Sequence, residues 1–254
     1  MSALESVRSH RGDIRMDREA RTLIETAIAR HGGERWSRIQ AIEIPVISLS
    51  GMLAWLKGNG RTFGAPRLVR VEPLRARGVF VDYPCPGEQG IYEAGRVALG
   101  NAEPVEHRSS FTGLRKWRRW SPLDALYFFG YALTHYHALP WSLREAEVLA
   151  VSRSGHSGAA DALTVRFPPS VHTHSAVQTI HFAADGLIVR HDYVAEVIST
   201  LARGAHLWLD YVEVNGFPIA THRRVLARIG GQALPVIALD ARFGAPEITG
   251  VGTS

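Results

Sequence analysis

Two turn signals in the last third of the chain restrict its fold more than any other feature of the 254 residues. Ala176 to Ala183 and Leu187 to Ile198 flank Ala184-Asp185-Gly186, and Ala205 to Val214 and Ile219 to Ile229 flank Asn215-Gly216-Phe217-Pro218. Asp-Gly and Asn-Gly readily adopt the positive φ that tight hairpin turns demand. Nothing between these runs is long enough for a parallel crossover, so an antiparallel meander is expected. Upstream, from Ala41, the period shortens toward two. Ile42, Ile44 and Val46 alternate with Glu43 and Pro45, and the pattern continues through Met52 to Leu56 as far as Lys57-Gly58-Asn59-Gly60. Further strand candidates are Pro66 to Pro73, Gly78 to Tyr83, Gly90 to Leu99 and Arg108 to Trp117, each bounded by Gly, Pro or Asn.

Two helices accompany the strands. Asp17 is a suitable N-cap for a helix to His31, with either Leu23, Ala27 and Arg30 or Ile24, Ile28 and His31 as its apolar stripe and Gly32-Gly33 as its stop. A short turn from Glu34 to Gln40 carries Trp36 and Ile39. The second helix opens at Ser121-Pro122-Leu123-Asp124, which supplies an N-cap, proline at N1 and an acid at N3, and runs to Leu139 before Pro140. It is apolar nearly all round, so it is expected to be covered by the sheet and the first helix. No repeat and no Pro/Ser-rich linker divides the chain. It reads as a single domain over 17–246, between a flexible arm at 1–16 and a flexible tail at 247–254.

Composition excludes several classes. The Leu123 to Leu139 run is interrupted by Asp124, His135 and His137, which argues against a bilayer span of about 20 residues. The N-terminus lacks the apolar stretch of a secretory signal, so a cytoplasmic protein is expected. The single cysteine, Cys85, allows no internal disulfide and no cysteine-based zinc cage. Residues 1–127 hold 20 Lys and Arg against 14 Asp and Glu, densest at Arg115-Lys116-Trp117-Arg118-Arg119-Trp120. In a strand this segment would present a solvated cationic face with Trp117 packed inward, a reading preferred to a nucleic-acid surface. Gly155-His156-Ser157-Gly158 lacks the spacing of a nucleophile elbow. Gly58 to Gly64 lacks the dinucleotide-binding spacing and is followed by Ala65-Pro66.

The layout resembles the lipoprotein-carrier fold of the LolA/LolB family. The matching residues are His31-Gly32-Gly33-x-x-Trp36-x-x-Ile39-x-x-Ile42, the strand-turn-strand from His181 to Arg190, and Asp210-Tyr211-x-x-Val214-x-Gly216-Phe217-Pro218. The resemblance implies an α+β fold in which a large curved antiparallel sheet, a half-barrel, wraps around the N-terminal helix and the inserted aromatic helix and encloses an apolar cavity. The chain departs from the family in having no signal peptide or lipobox and many more histidines and aromatics around the helix. Periplasmic lipoprotein transport therefore does not carry over.

Two constellations could carry chemistry. Asp124, Tyr127, Tyr131 and His135 fall within roughly 80° of one another on the helix, a polar line flanked by Phe128 and Ala138. On the strands, His191 shares a face with Tyr193, Asp192 takes the other face with Arg190, and His206, Trp208 and Asp210 share a third; His181 and His222 lie on neighbouring runs. His172-x-His174 is the one close pair suited to a metal, but no acid follows to complete a site, and no metal or cofactor is expected. The preferred reading is binding of a hydrophobic small molecule or lipid-like ligand between the sheet and helix 121–139, with Tyr127, Phe128, Tyr131, His135, Trp141, Tyr193, His206 and Trp208 as its lining. The alternative is a cofactor-independent lyase, isomerase or cyclase with His135 and Tyr131, or His191 and Asp192, as acid and base. Against both stands a solid core, in which Phe128, Tyr131 and His135 interdigitate with Tyr193 and Trp208.

Overall fold

The computed structural model describes residues 3–58 and 66–250. Among these, alternation and short turns build one open antiparallel sheet, the expected α+β half-barrel. In chain order its strands are β1 (Ala41–Ser50), β2 (Leu68–Glu72), β3 (Arg77–Val81), β4 (Gln89–Glu93), β5 (Arg96–Leu99), β6 (Val105–Glu106) and β7 (Glu147–Arg153). There follow β8 (Asp161–Arg166), β9 (Val177–Phe182), β10 (Ile188–Val194), β11 (Arg203–Val214), β12 (Phe217–Ile229), β13 (Gln232–Phe243) and β14 (Glu247–Thr249). The spatial order is β6-β5-β4-β3-β2-β1-β13-β12-β11-β10-β9-β8-β7, with β14 also on β1. The first strand thus joins two meanders: its residues 42–45 pair with β2, and 46–50 pair with β13 across a bulge between Val46 and Ser48.

Both hairpin signals form. Val214 pairs with Phe217 around Asn215 and Gly216, both at positive φ, the geometry that matches the right-handed twist of the strands. At Asp185-Gly186 the Ala183 N–H donates to the Leu187 carbonyl at 2.8 Å, and Asp185 is salt-bridged to Arg30 at 2.9 Å. This second turn therefore docks on the first helix, α1 (Ala3–Arg30), of which the Ile24, Ile28 and His31 stripe is the buried one.

The third helix of the chain, α3 (Pro122–Ala138), is set by its first turn. The Asp124 N–H donates to Ser121 Oγ at 3.2 Å, and the Ser121 N–H donates to Asp124 Oδ2 at 2.8 Å, a complete capping box. His107 Nε2 and Arg115 Nη2 reach Asp124 Oδ1 at 2.8 and 3.0 Å. From there α3 crosses β2 to β5, and Gly130 makes the approach possible: a Cβ there would lie 2.4 Å from Tyr92.

Several elements differ from expectation. Met52 to Leu56 is not a strand but part of the helix α2 (Met52–Lys57); its apolar residues are contiguous rather than alternating, and Gly51 at φ 109° turns the chain out of the sheet. Gly90 to Leu99 is two strands, because Ala94 and Gly95 at positive φ make a turn. Arg108 to Trp117 forms two 3₁₀ turns rather than a strand, so alternation does not sort its side chains; Arg115 turns to Asp124 and Lys116 Nζ donates to the Glu196 carbonyl at 3.0 Å. The Trp117 side chain, the Asn59 to Ala65 segment and residues 251–254 of the expected tail lie outside the described residues. Helix α1 starts at Ala3, ahead of Asp17, and residues 247–249 pair with β1. α1 lies against β7 and the Trp141–Glu145 turn rather than over α3. Strands β6, β7, β8, β13 and β14 lie outside the strand runs expected from the sequence.

The Asp124 carboxyl is buried, which by itself raises its pKa, yet its bonds to His107 and Ser121 and the Arg115 charge hold it well below the usual carboxylate range. A depressed pKa contributes stability above the unfolded value of about 3.9 and loses it as the pH falls toward the folded value. Asp124→Asn should cost about 2 kcal/mol at neutral pH. The gap between variant and parent should close progressively below about pH 4, as read from urea midpoints across pH.

Candidate functional site

The concave face of the sheet can be read from its register. On β10 to β13 the inward positions are His191 and Tyr193; Gly204, His206 and Trp208; Arg223, Val225 and Ala227; and Leu239 and Ala241. α3 covers the β2 to β5 side, turning Phe128, Phe129, Ala132, Leu133 and Tyr136 toward these strands. Between them lies a predominantly apolar cavity of about 430 Å³. Met52 and Leu56 of α2, Leu201 and Ile229 stand at its rim, with Leu201 82% and Ile229 70% exposed. Trp55 of α2 is 77% exposed. A second void of about 30 Å³, room for a water or two, lies behind Tyr136 and Arg223 against Trp36, Trp141 and Trp208.

The sequence-designated residues divide between cavity wall and buried support. Phe128, Tyr193 and His206 line the cavity. Trp141 and Trp208 line the small void instead, Trp141 stacked on Trp36 at 4.7 Å with its Nε1 donating to the Gly33 carbonyl at 3.0 Å. Tyr127, Tyr131 and His135, the polar line of α3, point away from the cavity toward the loop before β9 and the strands behind it. Tyr127 packs on Tyr92 and Phe111 and comes within 3.5 Å of His172 Nδ1.

That polar line takes part in two hydrogen-bond systems, the second of which leaves His135 Nδ1 and His191 Nδ1 without a partner. The Tyr136 hydroxyl donates to Tyr193 at 3.3 Å and so accepts from His174 Nε2–H at 2.6 Å, leaving His174 Nδ1 to accept from Tyr131 at 2.8 Å. The His174 ring also stacks on Tyr193 at 3.9 Å. In the second system Gln178 Oε1 accepts from His135 Nε2 at 3.3 Å and from His191 Nε2, while its amide donates to Thr173 Oγ1 and the Ser175 carbonyl, both at 2.6 Å. Asp192 lies across the strand from His191, in a bidentate pair with Arg190 at 2.6 and 2.8 Å and 3.5 Å from His181 Nε2. His191 and Asp192 therefore face opposite sides of the sheet, and none of His135, Tyr131, His191 and Asp192 lines the cavity. His222 is held between Asp210 and Asp240. His172 and His174 turn to different partners, and among the described residues no cluster of three His, Cys, Asp or Glu could hold a metal ion.

Sequence reasoning passed over Tyr136 and Arg223, the polar residues that stand between the two cavities. Arg223 is 5% exposed and lies 3.6 Å above the Trp208 ring, its direct cross-strand neighbour, and 5.7 Å from Tyr136. Burial lowers its pKa to about 10, which leaves it charged at neutral pH. Inward parity with Val225 and Ala227 was the available signal.

The buried imidazoles are held neutral. Burial lowers the pKa of His135 to about 4, against the Gln178 bond that favours the cation, and takes His174, His191 and His206 well below the ordinary value. Between about pH 6.5 and pH 4 the unfolded chain binds protons that these folded histidines refuse, so stability rises with pH through that window and falls on acidification. The urea midpoint of the protein should therefore drop steeply from pH 6.5 to 4. His135→Asn, which removes one such group, should show a shallower drop; an identical slope would contradict the neutral-imidazole assignment.

No family model matches the chain, and no curated relative matches it. Among solved structures it is similar to a DUF1329 family protein from Desulfovibrio piger, with 12% identity over 92% of this chain and 95% of that one and a TM-score of 0.48. It is also similar to a LolA superfamily protein from Nitrosomonas europaea, with 8% identity over 90% and 92% of the two chains and a TM-score of 0.49. No helix among the described residues is long and apolar enough to cross a membrane. The likeness is a weak, LolA-like one of fold layout.

Proposed function

We propose that the protein binds a hydrophobic small molecule or lipid-like ligand in the cavity between α3 and β10–β13. The observation that carries this reading is an apolar space of about 430 Å³ that continues into exposed apolar side chains at its rim. The volume falls in the range of about 300–1,000 Å³ common to small-molecule sites. An apolar wall that opens to solvent in this way is suited to take up an apolar ligand, since covering it removes that wall from water. Tyr136, Tyr193, His206 and Arg223, with Lys57, Arg203 and Arg228, are polar side chains on a predominantly apolar wall, the pattern that orients a ligand. The acid–base pairs considered for a lyase sit behind this wall and none of their side chains lines the cavity, so binding alone is the favoured reading.

Binding can be followed with the neutral dye N-phenylnaphthylamine, whose fluorescence rises in apolar surroundings. The protein should enhance it saturably. Ala227→Phe, which places a ring from the inward face of β12 into the cavity, should weaken dye binding at least about tenfold, a loss of about 1.4 kcal/mol, with little change in thermal midpoint. Absence of saturable binding to the parent protein would overturn the proposal.

A further inference from the structure

We infer that the ligand is a monocarboxylate with an apolar tail and that Arg223 is the anchor of its head group; this rests on the binding reading above. Arginine keeps its charge when buried, and an unpaired buried charge is among the least tolerable features of a fold. The neighbouring cations on β12 obey that rule: Arg224 pairs with Asp240 at 2.6 Å, and Arg228 has Asp192 at 3.6 Å. Among the described residues Arg223 has no carboxylate in ion-pair range, and its Nη1 has no hydrogen-bond partner although it lines the cavity. The Trp208 face offsets part of the deficit. Its surroundings add no negative charge: Tyr136 and Tyr211 are neutral phenols, and His31, His137, His191 and His206 are imidazoles held neutral by burial.

A second, independent feature points to the same place. His206, on the adjacent strand and 4.6 Å from the Tyr136 ring, lines the cavity fully buried with neither ring nitrogen partnered. A neutral imidazole supplies one N–H donor and guanidinium a planar fork, which together match the oxygens of one carboxylate. Of the other cations on the wall, Lys57 donates to the Lys116 and Arg118 carbonyls, Arg228 has Asp192 at 3.6 Å and Arg203 is exposed, which leaves Arg223 as the buried charge that one carboxylate would balance. Arg223 and the exposed Ile229 are six residues apart on β12, about 20 Å of strand. The carboxylate therefore sits at the inner end, and the tail runs outward toward α2 and Leu201.

The test uses three probes of equal chain length, dodecanoate, methyl dodecanoate and dodecanol, each competing with N-phenylnaphthylamine at neutral pH below its aggregation concentration. The expected result is displacement by dodecanoate at a concentration at least tenfold below that of either neutral probe. In Arg223→Met the ratio of carboxylate to ester affinity, measured within the variant, should fall to one or below, and Arg223→Lys should keep part of the preference. Equal affinity for the three probes in the parent protein would overturn the carboxylate anchor while leaving the cavity reading intact. Failure of the dye and all three probes to bind would overturn both. The parent measurement decides the matter even if Arg223→Met does not fold.

Discussion

An open sheet with one face turned inward must cover that face, and a single helix of 17 residues, about 25 Å long, is too small to cover a half-barrel built from fourteen strands. α3 lies against β2 to β5, where Gly78, Gly90 and Gly130 remove side chains to let backbone and ring approach closely. The rest of the concave face, on β10 to β13, is covered only where the short α2 packs on β13, because α1 packs at the other end against β7. What fills the gap is large rings near the base of the sheet and an empty apolar volume near its mouth. The cavity follows from that mismatch between sheet width and helix length.

The ring layer is a polar structure inside an apolar fold. Its worth depends on every donor and acceptor being met, since low dielectric strengthens a made hydrogen bond and penalises an unmade one. Tyr131, His174, Tyr136 and Tyr193 form a directed chain with one proton per link, and Gln178 closes the second system through four bonds. Both systems require uncharged imidazoles. Protonating His174 would leave two donors facing Tyr131 and Tyr136, and the cation would have no carboxylate beside it. The layer therefore ties α3 to β9 and β10 and fixes which face of the helix is left for the cavity.

Much of the architecture was legible because it is written in local chemistry. Asn215-Gly216 can take positive φ at both positions, and Ser121 with Asp124 can close a capping box, so one hairpin and one helix start follow from a few residues each. The elements that escaped are those decided by distant partners. β13 has no alternation to show, since Val236 and Ile237 are both exposed and its register slips twice against β12. Met52 to Lys57 carries strand-like apolar content and becomes a helix because Gly51 turns away and its apolar side packs on β13. The polar stripe of α3 was correctly grouped from helical periodicity, but periodicity says which residues share a face and not what that face meets.

That distinction decides where function should be sought. A line of Tyr, Tyr and His on an apolar helix attracts attention because such side chains can do chemistry, yet a buried helix also needs those side chains to satisfy the polar groups of the sheet beneath it. Once Tyr131 and His135 are committed to His174 and Gln178, they have no spare donors to offer a ligand. Groups available for recognition are the ones the fold leaves unsatisfied. In this chain they are the guanidinium of Arg223 and the imidazole of His206, both buried, both on the cavity wall, and both without a hydrogen-bond partner at one or more nitrogens. Other buried atoms nearby also lack a hydrogen-bond partner, His135 Nδ1, His191 Nδ1 and Trp208 Nε1 among them, but those residues lie off the cavity wall, and Arg228, which is on it, has Asp192 at 3.6 Å; Arg223 and His206 are the exceptions left on the wall. The exceptions therefore mark the binding end of the cavity more sharply than the conspicuous stripe on the helix does.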